Sequence, residues 1–343
     1  MKEIIHPYEL NVSHVDWCGV FGTRQRISSS SSKDSRVFLT GDALHVHSPR
    51  AGIGMNFSIQ DGETILLPPY EALLTSSAYN LGWKIAHVIK GISPLSILKT
   101  YDEERGLTTR QLIAFDKALS KQSSLTGVFS VEGTSHDLRE NLGFSSTTAI
   151  EYETGLFVAK KGGSIVSKQH LATGIPVGRR LPSHVVERHA NGEAVDFGKS
   201  FPSDGRYRVV IFAGDVSKPE QLRRVERFSQ LLELPDTLFR RVQGDAASPR
   251  DEFEILVLHS ASRDDVEIAD LPPFLFKQSD SYNQVFVDNN EIRPWTLGDA
   301  YNKYGVSRET GCIVLVRPDR HVMYIGELEG GAEMIKLLAS VLV

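Results

Sequence analysis

A chain of 343 residues with a formal charge of −5, 41% hydrophobic and 24% charged residues has the make-up of an ordinary folded protein of two or three domains. Its mild acidity argues against nonspecific binding to nucleic acid or an anionic membrane, no apolar run approaches the ~20 residues of a bilayer helix, and residues 1–27 lack the order of a secretory signal, so the expected location is cytoplasmic. The two cysteines, Cys18 and Cys312, stand far apart without a CxxC, which excludes a disulfide framework, a zinc knuckle and a dithiol redox pair.

In chain order, residues 8–27 read as strands with Val12, Val15, Trp17, Val20 and Phe21 as apolar positions, and the serine run Ser28 to Ser32 reads as an exposed loop. The most informative stretch follows at residues 36–56, RVFLTGDALHVHSPRAGIGMN. Val37, Phe38 and Leu39 predict a short buried strand, and Gly41 lets the chain turn so that the Asp42 carboxylate projects from the strand end, where ligand crevices of open α/β sheets lie. Pro49 fixes one φ angle, Gly52 and Gly54 allow a ligand close to the main chain, and a helix is expected to begin near Asn56. His45 and His47, two residues apart with no third ligand nearby, do not make a metal site.

From Ala78 the pattern is helical, with Leu81, Ile85, Val88 and Ile89 on one side and Gly91 as a stop. Ser93 and Pro94 suit an N-cap and first helical position of a long helix through about Lys121, and its charged run Asp102, Glu103 and Glu104 reads as a solvated face. Residues 122–168, rich in Ser, Thr and Gly, suit a linker. Beyond it lie a buried strand at 207–214, an amphipathic helix opened by Pro219, a second strand at 253–260, two strands joined by a Pro318-Asp319 turn, and a closing helix at 330–342.

Taken together, Gly41, Asp42, Ala43, His45, His47, Ser48, Pro49, Ala51, Gly52, Gly54, Met55 and Asn56 resemble the second flavin-binding motif of the FAD-dependent aromatic hydroxylases, the group that includes phenol 2-monooxygenase. The resemblance implies that Asp42 accepts a hydrogen bond from the ribityl chain of FAD and that the amides of Gly54, Met55 and Asn56 face the isoalloxazine edge. The implied cofactor-binding set is Asp42, Pro49, Ala51, Gly52, Ile53, Gly54, Met55 and Asn56, with Ile53 standing where the family usually has Gln. Tyr101 to Arg105 resembles the family's Tyr-x-x-Glu-Arg signature. Val316 to Asp319, His259 and Arg263 to Asp265 resemble pieces of the phenol hydroxylase carboxyl-terminal domain.

The resemblance covers nearly the whole chain but only the carboxyl-terminal half of a family member. A strand, GxGxxG turn and helix that would hold a pyrophosphate are absent, and the family's substrate-side catalytic residues lie upstream, so catalytic residues stay unassigned. The implied fold is α/β (α+β): residues 1–121 as part of an FAD-binding and substrate domain, 122–168 as a linker, and 169–343 as a thioredoxin-like dimerisation domain. The implied function is FAD-dependent hydroxylation of a phenolic compound with NADPH as transient electron donor and O2, in a truncated form. A noncatalytic dimerisation module is the alternative. A homodimer is expected, without nucleic acid or membrane partners, and without GxGxxG the chain is expected to hold FAD weakly or not at all.

Between Asp61 and Ala78 stand sixteen residues, GETILLPPYEALLTSS, that interrupt the family pattern, and Pro68 and Pro69 cannot continue a helix. Either they loop out, or residues 62–77 are a translated intron. Because the flanks join into the family pattern on removal, sequencing the transcript is expected to show the Asp61 codon joined to that of Ala78. An insert present in every message overturns this.

Overall fold

The computed structural model describes residues 6–9, 11–17, 19, 22, 24–48, 54, 57–58, 80–126, 150–235, 237–243, 246–249, 251–276, 282–288 and 299–343. The amino-terminal part is built from two short antiparallel ribbons: β1 (Arg26–Ile27) pairs with β4 (His45–Val46), and β2 (Ser32–Lys33) pairs with β3 (Val37–Phe38). The strands expected over residues 8–27 reduce, among the described residues, to β1. Val12, Val15 and Trp17 are 55%, 59% and 73% exposed, so their alternation does not mark a core face, whereas Val20 and Phe21 lie outside the described residues. Val37 is likewise exposed, and the expected buried strand is a two-residue ribbon.

Two helices follow. α1 (Gly82–Ile89) stops where Gly91 takes φ +71°, but its buried side chains are Trp83, Lys84 and His87, whereas Ile89 points to solvent. Pro94 precedes a 3-10 turn, Leu95–Lys99, which leads into α2 (Thr100–Thr126), so the long helix starts later and runs further than its sequence predicts.

The carboxyl-terminal part is one mixed sheet. β5 (Val185–Arg188), β6 (Ala194–Asp196), β7 (Tyr207–Gly214), β10 (Phe253–His259), β11 (Val285–Val287), β12 (Cys312–Val316) and β13 (Val322–Gly326) are ordered β13-β12-β7-β10-β11-β5-β6. A separate ribbon pairs β8 (Arg240–Gln243) with β9 (Ala246–Pro249). β7 and β10 run parallel and are buried along their whole lengths, as expected of unbroken apolar runs covered on both faces. Alternate residues divide between two cores. Val209, Ile211, Ile255 and Val257 pack with α3 (Pro219–Glu233) and α5 (Gly331–Ala339), and Val210, Phe212, Leu256 and Leu258 pack with Tyr301 and Tyr304 of α4 (Ala300–Tyr304). Pro219 takes the first turn of α3, where its missing N–H costs nothing.

The amino-terminal helices do not stand apart from this sheet. Trp83 of α1 enters the same core as Phe157 and Tyr207, His87 Nε2 lies 2.7 Å from the Gly205 carbonyl, and the amide of Val343 donates to Ile92 at 2.9 Å. Residues 150–168 contribute Ile150, Tyr152, Phe157, Val158 and Ala159 to the buried set.

Beneath Trp83 sits a cluster of buried charges. Glu104 of α2 accepts from both guanidinium nitrogens of Arg317, at 2.6 and 3.0 Å, and from Lys84 Nζ at 2.8 Å. Arg317 also donates to Asp319 at 2.9 Å, and its guanidinium lies between 5.1 and 5.6 Å from the Tyr152, Phe157 and Trp83 rings. Within the acidic run Glu103 is exposed, but Glu104 is therefore no part of a solvated face. Burial alone would raise the Glu104 carboxyl, but Arg317 and Lys84 outweigh it and hold it at about 2. Burial lowers Lys84 to about 8 against the pull of Glu104.

Neutralising Glu104 leaves Lys84 without its ion-pair partner and Arg317 with Asp319 alone in a dry interior, so Glu104→Gln is expected to lose ~3–5 kcal/mol in urea unfolding, and a change below ~1 kcal/mol would overturn this account. The pH signs differ. Glu104 ordinarily titrates at 4.5, so its stabilisation is complete above that pH and is lost as the pH falls through about 2. Lys84 ordinarily titrates at 10.5, so its burial costs stability below pH 8 and the cost fades as the pH rises toward 10.5.

Candidate functional site

Gly41 takes φ +54°, and a Cβ there would meet Ser58 Oγ at 3.0 Å, so both the backbone and the neighbour favour glycine. The turn it opens, Gly41–Ala43, is a 3-10 helix closed by the Leu44 amide on the Gly41 carbonyl at 2.9 Å. Leu44 anchors the turn in a small core with Leu81, Leu98 and Tyr101, and the Tyr101 hydroxyl donates to the Leu39 carbonyl at 2.7 Å. Asp42 is left on the exposed side.

The chain then passes through His45, buried and stacked on His47 with centroids 5.9 Å apart and edge-on to Phe57. His47 abuts Gly54, where a Cβ would meet its ring at 3.5 Å. Gly54, Phe57 and Ser58 are helical. The Gly41 turn and the glycine-rich helix start thus pack on each other at two points, Gly41 on Ser58 and His47 on Gly54. Of the eight residues expected to contact a cofactor, Asp42 and Gly54 belong to this arrangement. Pro49, Ala51, Gly52, Ile53, Met55 and Asn56 lie outside the described residues, as does the 62–77 insert.

The residues that hold the site in place come from α2. Arg105 is buried, with its guanidinium 5.9 Å from the Phe57 ring. Asp116 accepts from the Ser48 amide at 2.9 Å, from the Ser48 hydroxyl, and from Gln25 Nε2 at 2.6 Å. Burial raises the Asp116 carboxyl, but these donated hydrogen bonds bring it below its ordinary value. It therefore fastens the residue before Pro49 to the long helix. Asp102 accepts from the Ser31 amide at 3.1 Å and from the Ser31 and Ser32 hydroxyls, so the serine run is tied down and Ser31 is buried. Sequence reading missed Asp102, Glu104 and Asp116. The signal available was that Tyr101, Arg105, Thr108, Leu112 and Asp116 share one face at helical spacing, a stripe too polar for solvent-free packing without partners.

In the sheet, His259 at the end of β10 is buried and its Nε2 lies 2.8 Å from His189 Nδ1. Burial, reinforced by the neighbouring ring, lowers His259 to about 3. Cys312 is buried and burial pushes its thiol up, away from reactivity.

Residues 150–343 match the family described as phenol hydroxylase, C-terminal dimerisation domain, and residues 1–68 and 72–116 match the FAD binding domain family, the break falling within the insert. The FAD-dependent monooxygenase terD of Aspergillus terreus is 32% identical over 340 residues, covering 96% of this chain and 52% of that protein. Phenol 2-monooxygenase fsqG of Aspergillus fumigatus is 30% identical, covering 97% and 52%, and 3-hydroxybenzoate 4-monooxygenase of Comamonas testosteroni is 30% identical, covering 94% and 50%. The chain spans about half the length of the curated relatives it matches. Among solved structures, the flavin-dependent monooxygenase PieE in complex with FAD and substrate aligns with a TM-score of 0.51 at 16% identity over 93% of this chain and 50% of that one, and the aromatic hydroxylase CabE with 0.50 at 22% over 94% and 48%. These two are likenesses of fold.

Amide hydrogen exchange is expected to show the Ser48 N–H protected in the intact chain and exchanging at loop rates in Asp116→Ala. Equal protection in both would mean that Asp116 does not fasten this segment.

Proposed function

Because the chain belongs to the FAD-dependent aromatic hydroxylase family, we propose that it supplies the part of a flavin monooxygenase that meets the isoalloxazine edge of FAD, in a protein that hydroxylates a phenolic compound with NADPH and O2. The observation that carries the reading is Gly54. It is helical, lies outside the left-handed region, and has ordinary contact room for a side chain against His47. Glycine in a helix costs ~1 kcal/mol relative to alanine, and among the described residues neither backbone nor packing requires it. A flat ligand brought close to the main chain would account for it.

On this reading Asp42, exposed in the turn that Gly41 opens, accepts a hydrogen bond from the ribityl chain. Pro49, Ala51, Gly52, Ile53, Met55 and Asn56 line the ring edge with Gly54. Asp116, through Ser48, sets where the Pro49 segment enters. FAD, when bound, supplies the redox chemistry with NADPH and oxygen, and the work of the chain is to orient the ring and keep water away. What favours this over a noncatalytic module is the FAD-binding match across residues 1–68 and 72–116.

The division into a flavin-side part at 1–121, a connection at 122–168 and a carboxyl-terminal unit at 169–343 belongs to the same proposal. Support for a thioredoxin-like unit is the strand order β13-β12-β7-β10, with α3 between β7 and β10 and α5 after β13. With Cys312 buried its role is association, and the matching family, described as a dimerisation domain, supports a homodimer.

Because the chain contains no GxGxxG, FAD binding is expected to be weak, and it is best read by quenching of flavin fluorescence in a titration. Asp42→Ala should weaken it by ~1.5–3 kcal/mol, the worth of a hydrogen bond to a charged acceptor. Unchanged affinity would reduce Asp42 to a turn residue, and no quenching at any concentration would sink the reading for this chain.

A further inference from the structure

The serine run that leads from β1 into β2 contains a hydroxyl that the fold leaves unused. Ser28 Oγ donates to the Ser30 carbonyl at 2.8 Å, Ser30 Oγ donates to the Ser32 carbonyl at 2.6 Å, and the Ser31 and Ser32 hydroxyls donate to Asp102. Ser29 is exposed in a bend, and among the described residues it makes no hydrogen bond.

The residues ahead of it carry charge at a fixed spacing. Arg24 and Arg26 stand five and three residues before Ser29, in the order Arg-x-Arg-x-x-Ser. Gln25 between them is turned inward, its Nε2 donating to Asp116 at 2.6 Å, so strand alternation sets both arginine side chains on the opposite face. Both are exposed, and neither is in an ion pair among the described residues. Two guanidiniums on one outward face, with a free hydroxyl a short step beyond them, form a charge pattern that an enzyme with acidic pockets at the same spacing reads.

The bend is also placed for access. Ser29 lies between two tethers: the Ser28 amide donates to the Leu44 carbonyl at 2.9 Å, beside the Gly41 turn, and the Ser31 amide donates to the Asp102 carboxylate at 3.1 Å. β1 meets β4 over two residues only, so lifting Arg26 and Ile27 into an enzyme cleft takes the opening of one short ribbon.

We propose that Ser29 is a phosphorylation site for an arginine-directed serine kinase, with Arg24 and Arg26 as its recognition residues. The Ser29 hydroxyl oxygen bonds to the γ-phosphorus of a magnesium nucleoside triphosphate carried by the kinase, and the bond from that phosphorus to the β–γ bridging oxygen breaks. The nucleoside diphosphate leaves with the electron pair of that bond, and the serine proton passes to the kinase's carboxylate base. The product places about −1.5 to −2 charge one residue from the Ser28 bond to Leu44. The site is independent of the flavin reading, since none of the residues in that reading is needed for recognition or transfer.

The test is incubation of the folded 343-residue chain with magnesium ATP and purified protein kinase B, an arginine-directed enzyme, with the modified residue located by tandem mass spectrometry. Phosphate is expected on Ser29, and Ser29→Ala should remove it. Arg24→Ala and Arg26→Ala, both changes of exposed side chains, should each lower the initial rate about tenfold with the circular dichroism unchanged. Phosphate on Ser28 or Ser30 in place of Ser29, label retained in Ser29→Ala, or full rate in either arginine variant would each overturn the proposal. So would no incorporation, or incorporation that needs the chain unfolded first.

Discussion

The bidentate pairing of Glu104 with Arg317 joins residues 213 apart in sequence, and the rest of the molecule is arranged around it. Each carboxylate or guanidinium in a dry interior carries a desolvation penalty of several kcal/mol, which is offset only when geometry is good and the remaining donors and acceptors are engaged. Here Lys84, Asn80 and Asp319 engage them, and the Trp83, Phe157 and Tyr152 rings close over the guanidinium. The consequence is positional. α2 carries Glu104 to this cluster, and the same helix carries Asp102, Arg105 and Asp116 to the amino-terminal turns, so the long helix transmits the placement of the sheet to the Gly41 turn and the Ser48 anchor.

How much of this could be read from the residues depended on whether the cause was local. The strand at Tyr207–Gly214 declares itself by an unbroken apolar run, α3 by Pro219 at its start, and the end of α1 by Gly91; each is settled within a few residues, and each stands where the pattern puts it. Gly41 belongs with them, since its positive φ follows from the absence of a Cβ. In the acidic run at 102–104, Glu103 is exposed as the pattern has it, but Asp102 and Glu104 failed the same treatment. A charged triplet on a helix is solvated unless something buries it, and what buries Glu104 arrives from the far end of the chain. Likewise Val12, Val15 and Trp17 carry the alternation of a strand face, yet alternation states only which residues would share a face, not that another face covers them.

The candidate site divides along the same line. Asp42 and Gly54 stood out because glycine and an adjacent carboxylate are chemically distinctive at short range. Asp116, which fixes the entry to the Pro49 segment, had no such mark. Its role comes from two donors on Ser48 and one on Gln25, groups that only the fold brings within reach.

Trp83 is fully enclosed in the core of the sheet although it is carried by the helix of the other part. The carboxyl-terminal unit is thus a socket whose plug is encoded well upstream. Taken without the upstream helices, residues 150–343 would keep a hollow shaped for an indole and an arginine lacking its glutamate.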